Sequence, residues 1–359
     1  MKRGGILNIE LGLLIPVFVL VSLGLATLFS INVSYFKSQL VYIILSFLVF
    51  IFFANVNYRI FRLYYVQIYI ISIIAFIIVL LLGFETRGTM RWVDIFGFRI
   101  QFSEVLKPFL AVSFSSMLAN SRKSFKSLLL SIAYLIPIVF LVYIQPDLGN
   151  ALIYFFVALL TLVVTGFPLI WFGLGFFFMA GLSPLFWRMM HGYQRERILT
   201  FINPNKDILG TSYNAIQSIV AVGSGMILGR GLGEGTQSGL RFLPEQYTDF
   251  IFATISESFG FLGGLLIIIS FAFLLYKIYS IYRDSEDKFC KIFSACVFFL
   301  ILVQLFINIG MNIGIVPIVG ITLPFVSYGG SSLLSNFILL GFLSSIGRDI
   351  KEQETLEIK

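Results

Sequence analysis

Asp249 has the strongest case for chemistry. It sits in Leu243-Pro244-Glu245-Gln246-Tyr247-Thr248-Asp249-Phe250-Ile251-Phe252, where a polar stretch meets an apolar run. A carboxylate facing such a run loses hydration, which moves it toward the working range of a general base. The same group can ligate a hard cation such as Mg2+, or cap the helix that follows. Glu104 and Lys107 lie three residues apart and share a helix face. Asp147 stands at another boundary between polar and apolar sequence, and Glu257 falls two turns beyond Asp249 on the same face. Ionisable groups inside apolar surroundings are costly and turn inward toward partners. These four read either as a structural ion-pair set or as the supporting polar cluster of a site.

Other residues carry weaker signals. Arg87, Arg91, Arg195 and Arg197 have guanidinium groups that can grip phosphate bidentately, or stand as solvated loop charges. His191 is the one histidine and has no nearby histidine or cysteine to complete a metal set. The glycines of 223–233 lack the Lys-Ser/Thr and the preceding strand of a nucleotide loop. No Gly-x-Ser-x-Gly element sits between a strand and a helix. Cys290 and Cys296 have no metal-ligand spacing and read as buried thiols.

The elements that hold these residues are membrane helices. The 359 residues are 58% hydrophobic and 12% charged, too little polar surface to cover a soluble domain. A helix needs about 20 apolar residues to cross about 30 Å of hydrocarbon. Apolar runs at 11–31, 39–56, 64–83, 105–119, 127–145, 148–166, 168–188, 250–276, 289–312 and 323–346 predict an all-α polytopic membrane protein of ten helices in a single domain. The first run has no small-residue cleavage site and reads as an uncleaved helix. Tyr213 to Val222 suits a short amphipathic helix, and 223–233 an irregular turn on the membrane surface.

Ten helices put both termini on one side. With that side cytoplasmic, the inner segments hold fourteen Lys and Arg, against Lys37, Arg87, Arg91 and Arg99 in short outer loops. The net charge of +7 is thus explained by topology and needs no nucleic acid. The same assignment places 84–104, 145–147, the long loop 189–249 and 313–322 outside, together with nearly all the clustered polar sequence.

At these residues the chain closely resembles the SEDS family of shape, elongation, division and sporulation proteins. The resemblance spans the chain and rests on Arg91-Trp92, Gln101-x-Ser103-Glu104-x-x-Lys107, Gln145-Pro146-Asp147-Leu148-Gly149, Tyr193-Gln194 with Arg197, and Phe201-x-Asn203-Pro204. It continues through Gly235-Thr236-Gln237-Ser238, the Leu243–Phe252 segment, Asn308-x-Gly310-Met311-Asn312-x-Gly314 and Pro324-Phe325-x-Ser327-Tyr328-Gly329-Gly330. The Gly-Thr-Gln-Ser and Gly-Met-Asn-x-Gly runs look more like RodA-type than FtsW-type members. Tyr247, Phe102 and Ser258 depart from the His, Pro and second Glu common in the family; Ser258 leaves Glu257 without an adjacent glutamate.

The resemblance implies a peptidoglycan glycosyltransferase at the outer face of the bacterial inner membrane, with Lipid II as substrate. It implies Asp249 as the essential aspartate and Glu104, Lys107 and Asp147 as its polar support. It also implies a class B penicillin-binding protein and other elongation-complex membrane proteins as partners. Chemistry compatible with it has Asp249 as base or cation ligand, with Arg91, Arg195 and Arg197 at the pyrophosphate and a divalent cation, Mg2+ or Mn2+. Two rivals remain open: a lipid-precursor flippase or transporter, whose site should lie near the midplane between related halves, and a noncatalytic scaffold for the transpeptidase.

Overall fold

A computed structural model describes residues 10–82, 84–86, 89–95, 98–190, 192–203, 212–240 and 242–357. Each of the ten predicted runs contains a helix. They are α1 (Leu11–Ile31), α2 (Val33–Asn55), α4 (Tyr65–Leu82), α6 (Lys107–Ala119), α7 (Phe125–Ile144), α8 (Leu148–Val164), α9 (Leu169–Met189), α13 (Ile251–Asp284), α14 (Lys288–Asn312) and α15 (Gly330–Glu357). Six are long and apolar enough to cross a membrane; Tyr65–Leu81, Leu148–Val164 and Leu169–Leu185 are shorter apolar helices. Short helices α3 (Tyr58–Leu63), α5 (Phe102–Val105), α10 (Gly192–Ile202), α11 (Tyr213–Ser224) and α12 (Thr236–Gly239) complete the set. α11 matches the expected amphipathic helix. Cys290 and Cys296 are free and buried, as expected.

Several boundaries differ from expectation. α13 and α15 run on to Asp284 and Glu357. α2 starts at Val33 rather than 39, with Asn32 capping it through Ser34 N, so Lys37, expected in an outer loop, lies within the helix. The segment expected as a loop at 84–104 contains an antiparallel sheet of β1 (Phe84–Thr86), β2 (Thr89–Ile95) and β3 (Phe98–Gln101), with Trp92 opposite Gln101. Its alternation is too short to stand out from the flanking apolar runs. The last helix was expected from 323 but begins at Gly330. Pro324 interrupts the pattern, and Phe325 takes a left-handed φ of 65° that no helix accommodates.

The bundle core is formed by α14 against α13, α8 and α6, by α1 against α13, and by α15 along α2. α9 stands apart: methyl groups at Gly173, Gly175 and Gly181 would meet nothing within 4 Å, and Phe176, Phe177 and Phe178 are exposed. The helix ends remote from Asp249 are tied by Arg59–Asp349 at 3.2 Å, Arg62–Asp287 at 2.8 Å and Lys351–Glu10. Asp287 also accepts the amides of Phe289 and Cys290 at the start of α14. Burial alone would raise its pKa, but the Arg62 bond and these amides hold it below its ordinary value.

α13 is two helices joined at Gly260, whose φ of 67° and ψ of −160° suit only glycine. The break frees the carbonyls of Glu257 and Ser258 and the amides of Phe261 and Leu262. The glycine-rich stretch, expected as a surface turn, docks into this gap. Arg230 N donates to Glu257 O at 2.9 Å and Gly231 N to Ser258 O at 3.0 Å. Phe261 N donates to Met226 O at 2.7 Å and Leu262 N to Ile227 O at 3.3 Å. In hydrocarbon each such group left alone would cost several kcal/mol, so the broken helix and the loop require each other. Gly260→Ala should therefore destabilise the protein by about 1–3 kcal/mol or more. A drop in thermal unfolding midpoint in detergent checks this; an unchanged midpoint would contradict the pairing.

Candidate functional site

Asp147 is the hub of the first polar cluster. It caps α8, with Oδ1 accepting Asn150 N at 3.3 Å. Its Oδ2 accepts Gln101 Nε2 and Ser103 Oγ, each at 2.7 Å, and Asn150 Nδ2 at 2.9 Å. Ser103 O in turn accepts Tyr154 OH at 2.9 Å. Gln101 N donates to Ser331 Oγ at 2.9 Å, which brings the start of α15 into the same cluster. With 2% exposure and this many donors, Asp147 is an organising charge within the fold.

The end of β3 feeds directly into α5 and α6, so one short stretch supplies Gln101, Ser103, Glu104 and Lys107. Pro108 falls in the first turn of α6, where its missing N–H is harmless. Lys107 Nζ pairs with Glu104 Oε1 at 2.7 Å, with side chains 1% and 8% exposed. The i,i+3 pairing expected from sequence is present. Two buried charges need each other: breaking such a pair costs about 3–5 kcal/mol.

Asp249 lies just before α13 and is half-buried. Phe250 occupies the capping position of α13, one residue past where the cap reading of Asp249 put it. Its carbonyl accepts Asn308 Nδ2 at 3.1 Å and Asn312 Nδ2 at 3.0 Å, both from α14. The preceding residues are clasped by the loop before α15. Tyr328 N donates to Tyr247 O at 2.9 Å, and Ser327 Oγ to Thr248 O at 2.7 Å. Gln39 on α2 steadies that loop, donating to Ser327 O at 3.2 Å and accepting from Gly329 N at 3.3 Å. Three elements, α14, α2 and the loop before α15, thus set the backbone that presents the carboxylate.

The two clusters meet across residues 319–321. A methyl on Gly320 would come within 3.2 Å of Asp249 Oδ2. A methyl on Gly149, two residues after Asp147, would press on Val319 O and Ile321 at 3.1 and 2.9 Å. Asn308 Nδ2 also donates to Ile321 O at 2.7 Å. The same strip of backbone therefore abuts the Asp249 carboxylate on one side and the start of α8 on the other. Asp147, Glu104, Lys107 and Asp249 belong to one region of the bundle.

The remaining sequence candidates go elsewhere. Glu257, fully buried, accepts Gln237 N at 2.8 Å and Ser238 N at 2.9 Å, so its carboxylate holds the start of α12. Arg195 donates to Arg188 O at 2.7 Å, across the junction of α9 and α10. Arg197 lies two residues further along α10, whose Gln194 accepts Tyr143 OH at 3.4 Å from the end of α7. Arg91 is on β2, but its side chain lies outside the described residues, as do Arg87 and His191. The residues that sequence reasoning gave no role are Gln39, Asn150, Asn308 and Asn312. The last two had a usable signal: polar amides spaced i,i+4 in an apolar helix must share a buried face.

Among the described residues, no three His, Cys, Asp or Glu side chains form a metal cage. A half-exposed single carboxylate fits only an ion that keeps water and takes ligands from a substrate, as Mg2+ does.

The family model described as "Cell cycle protein" (FtsW, RodA and SpoVE) matches residues 5–352. The chain is 38% identical over 311 residues to the probable peptidoglycan glycosyltransferase FtsW of Wigglesworthia glossinidia brevipalpis, covering 84% of this chain and 80% of the relative. It is 33% identical over 296 residues to the peptidoglycan glycosyltransferase MrdB of Escherichia coli, covering 82% and 80%. Stage V sporulation protein E of Bacillus subtilis is 32% identical over 357 residues, covering 94% and 97%. A chain of a solved peptidoglycan synthase complex, described as coordinating polymerization and crosslinking, superposes with a TM-score of 0.84 at 26% identity, covering 96% of this chain and 99% of that one. The rod shape determining protein RodA of Thermus thermophilus shares the fold, with a TM-score of 0.72 at 23% identity over 96% and 98% of the two chains. With the family model spanning nearly all of its length, this polytopic membrane protein belongs to the SEDS family of peptidoglycan glycosyltransferases.

Proposed function

We propose that this chain polymerises Lipid II at the outer face of the bacterial inner membrane, with Asp249 as its reactive carboxylate. The observation that carries the reading is the placement of Asp249. It is a half-exposed acid whose backbone is clamped from α2, α14 and the 322–329 loop, beside the buried Asp147 and Glu104–Lys107 cluster. The polar site gathers at one end of the bundle, as an enzyme of surface-exposed sugars requires and a midplane transport site does not.

In the proposed reaction the acceptor hydroxyl attacks the anomeric carbon of the lipid-linked donor. The new C–O bond forms as the bond to pyrophosphate breaks, with inversion, and the hydroxyl proton passes to Asp249. Positioned proton transfer of this kind contributes about 10²–10⁴-fold. Asp249 would alternatively hold a divalent cation, Mg2+ or Mn2+, together with pyrophosphate oxygens; when bound, the ion would offset the charge that develops on the leaving group. Arg91, Arg195 and Arg197 are the proposed pyrophosphate contacts, of which Arg195 already commits one N–H to Arg188 O. The space beside the detached α9 suits the lipid tails.

A class B penicillin-binding protein is the proposed partner, supported by the likeness to a chain of a synthase complex. Other membrane proteins of the elongation complex are proposed alongside it. An elongation role, with both termini cytoplasmic, rests on the Gly235–Ser238 and Gly310–Gly314 motifs and on the asymmetry of basic residues between the loops.

Asp249→Asn should lower polymerisation of purified fluorescent Lipid II by at least about 100-fold while the chain stays folded. Turnover near the wild-type level would remove Asp249 as the base; no polymer from the wild-type chain itself would favour a scaffold. Titrating Mg2+ or Mn2+ against both proteins separates the two roles: a cation ligand predicts that high metal restores part of the Asn variant's activity. Lys107→Met should destabilise the chain by about 3–5 kcal/mol through the unpaired Glu104, and adding Glu104→Gln should recover much of that loss. Thermal unfolding of the three proteins measures it.

A further inference from the structure

The segment that docks into the break of α13 presents three consecutive aliphatic side chains that the described residues leave open. Met226, Ile227 and Leu228 are 79%, 66% and 78% exposed. Their backbone, by contrast, is paired. Met226 O accepts Phe261 N, Ile227 O accepts Leu262 N, and Gly229 N donates to Gly225 O at 2.8 Å. These bonds seat the tip beside Phe261 and Leu262, both exposed. Leu262 heads an exposed stripe that continues down α13 through Leu266, Ile269 and Phe273. That stripe lies on a helix long and apolar enough to cross a membrane, so lipid is what it meets.

The depth of the tip follows from the same helix. Lys277 is the first charge on α13 beyond the break, and from Phe261 to Tyr276 the helix rises about 24 Å at about 1.5 Å per residue. The hydrocarbon core is about 30 Å thick. With Tyr276 at the far interface, where tyrosine is favoured, Phe261 lies about 6 Å inside the hydrocarbon on the Asp249 side. Helix tilt carries it deeper. Arg230, two residues past the tip, turns back: its Nε donates to Ser224 O at 3.0 Å and its N to Glu257 O, closer to the start of α13. A cation there can keep its head among the polar headgroups.

We propose that the tip at 226–228 is inserted among the acyl chains of the leaflet on the Asp249 side, which makes the glycine-rich loop a re-entrant membrane anchor rather than a turn on the surface. Acyl chains are the occupant because the tip is hydrogen-bonded to the head of the lipid-facing stripe of α13 and extends its apolar surface. Irregular backbone is tolerated at that depth only where its polar groups are taken up, and α13 takes up those of the tip. A water-facing turn has no use for three adjoining open aliphatic side chains, which mark a contact surface.

The experiment places the full chain in phosphatidylethanolamine–phosphatidylglycerol nanodiscs with a nitroxide on Leu228→Cys, Glu234→Cys or Ile269→Cys. Cys290 and Cys296 are buried, and the wild-type chain corrects for any label they take. Collision of the nitroxide with oxygen, which concentrates in hydrocarbon, is compared with collision with a water-soluble nickel chelate, which hydrocarbon excludes. The oxygen-to-nickel ratio of Leu228→Cys should exceed that of the exposed Glu234→Cys by about tenfold and approach that of Ile269→Cys on the lipid face. A ratio equal to that of Glu234→Cys overturns the proposal and leaves a surface turn. A label at 228 shielded from both reagents also overturns it, since protein, in the form of a second copy, then covers the tip. If Leu228→Cys does not fold, Met226→Cys takes its place under the same expectations. The readout needs no catalysis, so the outcome is independent of the glycosyltransferase reading.

Discussion

A lipid bilayer offers no water to an open peptide group, and that constraint organises the functional end of this molecule. α13 cannot break at Gly260 unless something takes up the carbonyls and amides that the break exposes. The segment from Met226 to Gly231 does so with four backbone hydrogen bonds. Three and two residues before that break, Glu257 and Ser258 give their carbonyls to the docked loop, and the Glu257 carboxylate anchors Gln237 and Ser238 at the start of α12. A single helix interruption thus holds most of the described segment between α11 and α13 in place. The same helix begins just after the Asp249 loop, so that loop and the break lie at the two ends of one short helical segment.

The acids divide into two kinds by how they are satisfied. Asp147, Glu104 and Glu257 are buried and bonded within the fold, to amides, hydroxyls or Lys107. Their charges shape the backbone around them, which is where a low-dielectric interior makes a charged hydrogen bond strong. Asp249 is held differently. Its backbone is gripped by Asn308 and Asn312 and its neighbours by Ser327 and Tyr328, while the residue as a whole stays half-exposed. A backbone fixed in this way is what the proposed role of Asp249 asks of a loop residue.

The opposite end of the bundle uses another device. Arg59–Asp349, Arg62–Asp287 and Lys351–Glu10 join α3, α14, α15 and the chain before α1 near the surface. Exposed pairs of this sort contribute about 0–1 kcal/mol each, so they align helix ends more than they stabilise them. Stability resides in the apolar packing of α1, α13, α14 and α15 between the two ends.

The ten apolar runs, the amphipathic α11 and the Glu104–Lys107 pair were legible in the sequence because each depends on spacing along a single helix. Length against bilayer thickness, a 3.6-residue period and an i,i+3 contact are local properties, and the bilayer leaves them few alternatives. Only the tertiary structure decided the sheet at 84–101, the docking of the glycine-rich loop into α13, and the commitment of Glu257 and Arg195 to neighbouring backbone. It also decided that Asn308 and Asn312 would reach the Asp249 carbonyl and that Gly149 and Gly320 would let two polar clusters meet. Each of these joins residues far apart in the chain, where a hydrogen bond or a close backbone approach exists only once separate helices have packed side by side.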